Sequence, residues 1–458
     1  MSTFLFMPES AYGPTNNCIG IAHVLAERGH HIVFAAESSW LGKLEPYGFV
    51  EDLVDLAPAS TEEAEAGKFW TDYIRDTASL FRLPTIEQIE TFILPTWQAL
   101  MDGARYCQPQ LEAIVDRARP DVVVEDNVCA FPALMTAGAA FVRIVSCNPL
   151  EMKGRGLPPT FSGYAAGDES GWAEFRNEYA RVHAETWCAF NEWVVDNGAP
   201  PLPELEFIHE SEHLNLYVYP EAVDYRRKDP LGRSWHRLDS SVRETEGGFD
   251  LPEELSRVAR AAGGAARASA AGGAGPAGDA RAAAAAARAA GDGALVYLSL
   301  GSLGSADVEL MKRLVSALAE TPHRYVVSKG PLADSYDLAD NMWGVPQVPQ
   351  TRVLPLVDLA ITHGGNNTTT ECFHFGVPTI ALPLFGDQYD NAQRVEETGF
   401  GRRLATYEFE PAELRRAVDE LLGDRALRNE LARTGRAIRS RDGLHRAADL
   451  LEQLALRG

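Results

Sequence analysis

Residues 361–401 read ITHGGNNTTTECFHFGVPTIALPLFGDQYDNAQRVEETGFG, and the punctuation of this stretch decides the fold. Leu359, Ala360 and Ile361 form an apolar run suited to a buried parallel strand. His363-Gly364-Gly365-Asn366-Asn367 predicts a sharp turn, because glycine enters left-handed geometry without steric cost. A helix follows, with Thr368 as its expected N-cap and Glu371 three residues on in capping-box spacing. Gly376 and Pro378 end it. A glycine turn feeding a helix N-terminus presents free N–H groups and a positive dipole end, which suits a phosphate. After a further strand, Thr379 to Leu382, Asp387-Gln388 can hydrogen-bond vicinal hydroxyls. A phosphate site and a polyol site on neighbouring strand ends point to a sugar nucleotide.

The same strand-turn-helix grammar extends through the chain. Phe4 to Met7 predicts a first strand, Pro8 to Pro14 a long polar turn, and Cys18, Ile19, Ala22, Leu25 and Ala26 a helix stopped by Gly29. His31 to Ala36, Asp121 to Val124, Phe141 to Val145 and Leu214 to Tyr219 continue the series. Two aromatic-rich regions, Phe69 to Trp97 and Phe161 to Trp193, read mainly as core helices and in part as walls of an apolar pocket. Ser256 to Gly293 is dominated by Ala and Gly and cannot bury enough surface to offset ordering entropy. Leu295 to Leu300 and Arg324 to Ser328 restart the strands, and charged amphipathic helices follow Pro411. The expectation is an α/β chain of two facing doubly wound domains with a cleft between them. The composition shifts divide the chain into a first domain, 1–243, a linker, 244–293, a second domain, 294–440, and a final helix, 441–458.

Length and charge narrow the partners. The chain has 458 residues, 45% hydrophobic and 23% charged, which suits two or three globular domains. A net charge of −23 argues against nucleic acid and against a polybasic membrane anchor. An anionic donor therefore needs local positive potential, expected from helix N-termini and His363. The N-terminal apolar run is too short for a signal segment, and no run approaches a membrane span. The six scattered cysteines read as buried free thiols, so a cytoplasmic location is expected.

The spacing HGGxNTxxE followed by GVPxxxxPxxxDQxxNA resembles the donor signature of UDP-dependent family 1 glycosyltransferases of GT-B fold, in particular bacterial natural-product and macrolide enzymes. The resemblance implies that His363, Gly365, Asn367, Thr368 and Ser302 meet the diphosphate, that Glu371 takes the ribose diol, and that Asp387 and Gln388 recognise the sugar. It aligns Pro349-Gln350 with the family's PQ, which puts Gln347 where an aromatic ring usually stacks on the base and leaves the backbone of Val348 to hold it. The base itself is left open between uridine and thymidine. At the catalytic position Pro14 replaces the histidine of the family's GHxNP-like loop, and proline takes no proton. Asp126, which resembles the aspartate that orients that histidine, and Glu9, directly after the first strand, are the candidate bases. The resemblance implies an inverting transfer of a hexose, glucose first, from UDP to a hydroxyl of a hydrophobic small molecule, without metal or other cofactor. The resemblance further implies that 1–243 is the acceptor-binding domain, that 294–440 is the nucleotide-sugar domain and that the helix 441–458 returns to the first; a homodimer is compatible with the sequence. The alternatives are a GT-B sugar-nucleotide epimerase or hydrolase, or a catalytically silent auxiliary protein.

Overall fold

The structure, a computed structural model, describes residues 1–58, 76–243, 248–253, 255 and 293–457, with the side chain of Ser302 outside that description. Phe69, Trp70 and Tyr73 of the first aromatic region and the Ala/Gly-rich stretch 256–292 likewise lie outside the described residues. The chain divides into two units. One comprises Met1–Thr245, Phe385–Asp390 and Arg441–Gly458; the other comprises Glu246–Leu384 and Asn391–Ser440.

In the first unit the strands are β1 (Thr3–Pro8), β2 (His31–Phe34), β3 (Val50–Glu51), β4 (Val122–Asp126), β5 (Ala140–Val145), β6 (Leu214–Val218) and β7 (Trp235–Leu238). They form one parallel sheet in the order β3-β2-β1-β4-β5-β6-β7. Its central strands are apolar on both faces, as covered parallel strands require: Phe4, Leu5, Phe6 and Val122 to Val124 are fully buried. The strand order reverses between β1 and β4, where Pro8 pairs with Asp126, so the ends of these strands open the crevice in which α/β sheets bind ligands. Phe34 stacks between Phe6 and Phe49 at ring separations of 5.3 and 5.1 Å. The last helix, Gly443–Ala455, buries Ala447, Ala448 and Leu451 in the same core and packs on the helix Tyr12–Glu27. Arg28 clamps that pairing through Asp449 at 2.8 Å and Glu452 at 2.6 Å.

In the second unit the strands are β8 (Leu295–Ser299), β9 (Arg324–Ser328), β10 (Met342–Val345), β11 (Leu359–Thr362), β12 (Thr379–Ala381) and β13 (Gly401–Arg403). All are parallel, in the order β10-β9-β8-β11-β12-β13, with the reversal between β8 and β11. Leu295, Tyr297, Val326, Val353, Leu354 and Ala360 make its core. Both edge strands depend on a glycine. A Cβ on Gly344 would lie 2.3 Å from the Val327 carbonyl oxygen, and one on Gly401 would lie 2.2 Å from that of Thr379. Each unit is thus a Rossmann-like doubly wound α/β layer, as the sequence predicts.

Local boundaries differ from expectation in two places that matter. The stretch expected as a turn up to Pro14 is already helix from Tyr12. Proline fits there because a first helical turn needs no intrahelical N–H bond, and Glu9 prepares the entry by accepting the Ala11 N–H at 2.9 Å. In the signature stretch the helix runs Asn366–Phe375 with Gly365, not Thr368, at the N-cap. Gly364 takes the left-handed conformation (φ 82°), so the helix starts three residues earlier than a side-chain cap at Thr368 would require. Gly376 at φ 71° ends the helix as predicted.

The aromatic residues Trp172, Phe175, Tyr179 and Phe190 of the helix Trp172–Asp196 are buried core residues. All six cysteines are free; four are buried, whereas Cys147 is half-buried and Cys188 exposed, which corrects the expectation for those two. Among the described residues no helix is long and apolar enough to cross a membrane. Truncating Leu451 to alanine should lower stability by about 2–5 kcal/mol, the range for emptying a packed leucine site. A urea midpoint indistinguishable from wild type would mean that the last helix contributes nothing to the first unit's core.

Candidate active site

In the second unit the residues read as a phosphate site gather at the switch point. Ser299 ends β8 and pairs with Thr362 at the end of β11; Gly301 and His363 follow these strand ends. The imidazole of His363 fills the space that two glycines leave free. A Cβ on Gly301 would stand 2.7 Å from its Cε1, and one on Gly365 would stand 2.3 Å from its Nε2. The ring is further held by a 3.3 Å contact between its Nδ1 and the Thr362 hydroxyl. Burial pushes its pKa from 6.5 down to about 4, against a hydrogen bond with the Ser299 backbone that raises it. His363 is therefore neutral at pH 7. It therefore lacks the positive charge expected from the sequence, and the helix N-terminus at Asn366 supplies the electropositive end.

Three further predicted donor residues meet one another. The Gln350 amide donates to Glu371 Oε2 at 2.6 Å and to the Thr368 hydroxyl at 3.2 Å. Glu371 and Thr368 are buried, so the expected capping box between them is replaced by a bridge through Gln350. Asn367 lies on the same helix, half-buried, with its carbonyl accepting the Thr370 hydroxyl at 3.0 Å. Val348 is buried, and its N–H points at the Ser328 hydroxyl at 3.5 Å. Gln347 is exposed. Trp343, the nearest large ring in sequence, faces Phe249 at 6.0 Å and packs against the core. The side chain of Ser302 lies outside the described residues.

The first unit gathers the other predicted residues around the loop after β5. Asp126, at the end of β4 and 2% exposed, accepts the Ser146 hydroxyl at 2.7 Å through Oδ1, whereas its buried Oδ2 has no hydrogen-bond partner among the described residues. Burial raises its pKa well above the carboxylate range; the Ser146 bond opposes this and the nearby Glu151 and Glu9 carboxylates add to it. Two residues further along the loop, the Asn148 N–H donates to Asp387 Oδ2 at 2.9 Å. Asn148 is itself fixed. Its Oδ1 accepts the Leu150 N–H at 3.0 Å, and its Nδ2 donates to the Tyr219 hydroxyl at 3.2 Å. Ser146 and Asn148 thus hold, from one short loop, the candidate base and the predicted sugar-recognising carboxylate. Gln388 opens the helix Gln388–Glu397 and is buried, with its Oε1 3.4 Å from the Phe385 N–H. Glu9 follows β1, and its N–H donates to the Asp126 carbonyl at 2.8 Å. Its side chain accepts the Ala11 N–H and, at 3.0 Å, the Ser10 hydroxyl. That carboxylate is committed to starting a helix, which leaves Asp126 the stronger candidate base. Pro14 is half-buried in the first turn of that helix, and His23 further along it lies 3.6 Å from Glu27.

Sequence reading missed Ser146, Asn148 and Asp390. Ser146 and Asn148 stand in SCNP, which carries no motif. Asp390 is buried, and its two oxygens accept the N–H groups of Phe161 at 2.6 Å and Gly163 at 2.8 Å.

Residues 272–441 match the family described as UDP-glucoronosyl and UDP-glucosyl transferase. The oleandomycin glycosyltransferase of Streptomyces antibioticus is 25% identical over 451 residues, spanning 97% of this chain and 88% of that enzyme. The NDP-glycosyltransferase YjiC of Bacillus licheniformis is 32% identical over 161 residues, or 34% of this chain. That match covers 41% of the Bacillus protein's length, so the chain spans about two fifths of this curated relative. Among solved structures, the glycotransferase of kitacinnamycin superposes with a TM-score of 0.68 at 20% identity, over 99% of both chains. The calicheamicin glycosyltransferase CalG4 gives a TM-score of 0.63 at 19% identity, over 100% of this chain and 99% of that one. These structures share the two-unit Rossmann-like architecture of GT-B glycosyltransferases.

The depressed pKa of His363 has a consequence for stability. Between pH 6.5 and about 4 the unfolded chain takes up a proton here that the folded chain refuses, so stability present above pH 6.5 is lost as pH falls through that window. His363→Gln removes the titrating group. Its urea midpoint should therefore fall less steeply than that of the wild type between pH 7 and 4.5; equal slopes would assign the acid sensitivity to other groups.

Proposed function

We propose that this chain, whose residues 272–441 match the UDP-glucoronosyl and UDP-glucosyl transferase family, moves a hexose, glucose first, from UDP to a hydroxyl of a hydrophobic small molecule with inversion at the anomeric carbon. The observation that carries the reading is the loop after β5, where Ser146 holds Asp126 and, two residues on, Asn148 holds Asp387. A proton acceptor and a polyol-binding carboxylate fixed from one loop are the parts a sugar transfer to an alcohol needs.

In this reaction the acceptor oxygen attacks the anomeric carbon as the bond to the diphosphate breaks. The acceptor proton passes to Asp126 and then to solvent, and UDP leaves with the bonding electron pair. The helix N-terminus at Asn366, shaped by the neutral His363 ring packed against Gly365, stabilises the charge developing on the diphosphate. Glu371, held by the Gln350 amide, takes the ribose hydroxyls. Asp387 and Gln388 hold the sugar hydroxyls. The relatives named for oleandomycin, kitacinnamycin and calicheamicin support a natural-product acceptor, such as a macrolide, for tailoring or inactivation. The exposed Gln347 leaves the base without a stacked ring from that position, so TDP-glucose belongs beside UDP-glucose in any assay.

Incubation with UDP-glucose and a panel of macrolides, ansamycins and flavonoids should yield a product heavier by one hexose, read by mass spectrometry. UDP binding without transfer to any member would favour a donor-binding auxiliary protein instead.

A base must be ionised to act, so a raised Asp126 pKa displaces the ascending limb of the pH–rate profile above the ordinary carboxylate range. Asp126→Asn should abolish that limb and lower turnover by roughly 100-fold or more, with UDP affinity intact. An unchanged rate in Asp126→Asn together with a collapse in Glu9→Gln would assign the base to Glu9.

A further inference from the structure

The six residues Phe385–Asp390 enclose the pair Asp387-Gln388 and are fastened on both sides of it. Before the pair, the Phe385 ring packs at 5.0 Å on Phe81 and at 5.2 Å on Phe92. After it, the Tyr389 hydroxyl donates to the Phe81 carbonyl at 3.3 Å and accepts from the Gln88 amide at 3.2 Å. Asp390 then closes the segment. It is 1% exposed and receives two main-chain N–H groups, one on each oxygen, from Phe161 and Gly163.

The receiving turn is built for that carboxylate. Phe161 and Gly163 both have left-handed backbone, at φ 68° and 63°. A side-chain-bearing residue holds that conformation only where its surroundings impose it. Ser162 between them is pinned by its hydroxyl to the Pro159 carbonyl at 2.6 Å, and its own carbonyl accepts the Thr85 hydroxyl at 3.0 Å. The turn therefore presents two N–H groups to one point, and a bidentate anion satisfies both. An amide at position 390 has one acceptor oxygen and an alanine has none.

We propose that Asp390 is a positioning residue for donor-sugar recognition: by anchoring its segment to the Phe161–Gly163 turn, it fixes Asp387 and Gln388 where they meet the hydroxyls of the transferred hexose. The inference rests on the proposed role of that pair as the sugar contact. It does not require any catalytic step, because the sugar portion of the donor is read by binding alone.

The test uses the full chain and two probes, UDP and UDP-glucose, with affinities measured by calorimetry. The ratio of the two reports the sugar contacts and cancels what the nucleotide contributes. Asp390→Ala should reduce the preference for UDP-glucose over UDP by about tenfold, on the scale of one lost charge-assisted hydrogen bond, with UDP affinity held within about twofold. Asp390→Asn should fall between wild type and alanine. Should the alanine variant not fold, Tyr389→Phe, which removes only a hydroxyl from the neighbouring anchor, should shift the ratio in the same direction by less. A merely structural role would weaken UDP and UDP-glucose together. That outcome, an unchanged ratio in the variants, or a wild-type chain with no preference for UDP-glucose would overturn the inference. No acceptor or turnover enters the measurement, so a failure of hexose transfer with the ratio shifted counts against the proposed reaction and leaves the anchor standing.

Discussion

At Gly301 and Gly365 there is no room for a Cβ, because the imidazole of His363 occupies that volume. This close approach organises the second unit's strand ends. It needs β8 and β11 adjacent and in register, so that the residues after Ser299 and Thr362 converge. It needs Gly364 in left-handed geometry, which carries the chain into the helix at Asn366. The packing around the ring also lowers its pKa, which keeps His363 neutral. Sterics, turn geometry and protonation state thus follow from one packed ring.

The neutrality of that ring changes how an acidic chain can hold an anionic ligand. With a net charge of −23, long-range attraction works against a nucleotide diphosphate, and a single cationic histidine would offset little of it. Oriented N–H groups act over a short distance in a partly desolvated site, where hydrogen bonds to an anion are strongest. The design favours recognition by geometry over capture by charge.

What was legible in the sequence divides along physical lines. Strands β1, β4, β8 and β11 are apolar on both faces and announce themselves, and their ends carry the histidine and the aspartate read as site residues. The edge strands β7, β10 and β13 contain Trp-His-Arg-Leu, Met-Trp-Gly-Val and Gly-Arg-Arg, where charge or glycine imitates a loop. Only the neighbouring carbonyls of Val327 and Thr379 reveal why glycine belongs at 344 and 401. The helix from Tyr12 was hidden for a similar reason, since Ala-Tyr-Gly-Pro imitates a turn unless the Glu9 carboxylate waiting at its entry is known. Ser146, Asn148 and Asp390 act through long-range partners, two of them through main-chain N–H groups, and such partnerships leave no spacing to read.

The replacement of a histidine by Pro14 sharpens the reading of Asp126. In enzymes that this chain resembles, the aspartate orients a histidine; here the helix position that would bear it has a ring without a proton-accepting atom. Asp126 nonetheless remains buried, with one oxygen bound to Ser146 and the other unpartnered. An unsatisfied buried carboxylate oxygen costs at least about 1–3 kcal/mol. A purely structural residue at the end of β4 would gain by being asparagine or serine, which carry less charge into the same space. The proposed role as base asks for this arrangement: one oxygen is held by Ser146, and the other keeps a lone pair that no donor among the described residues takes.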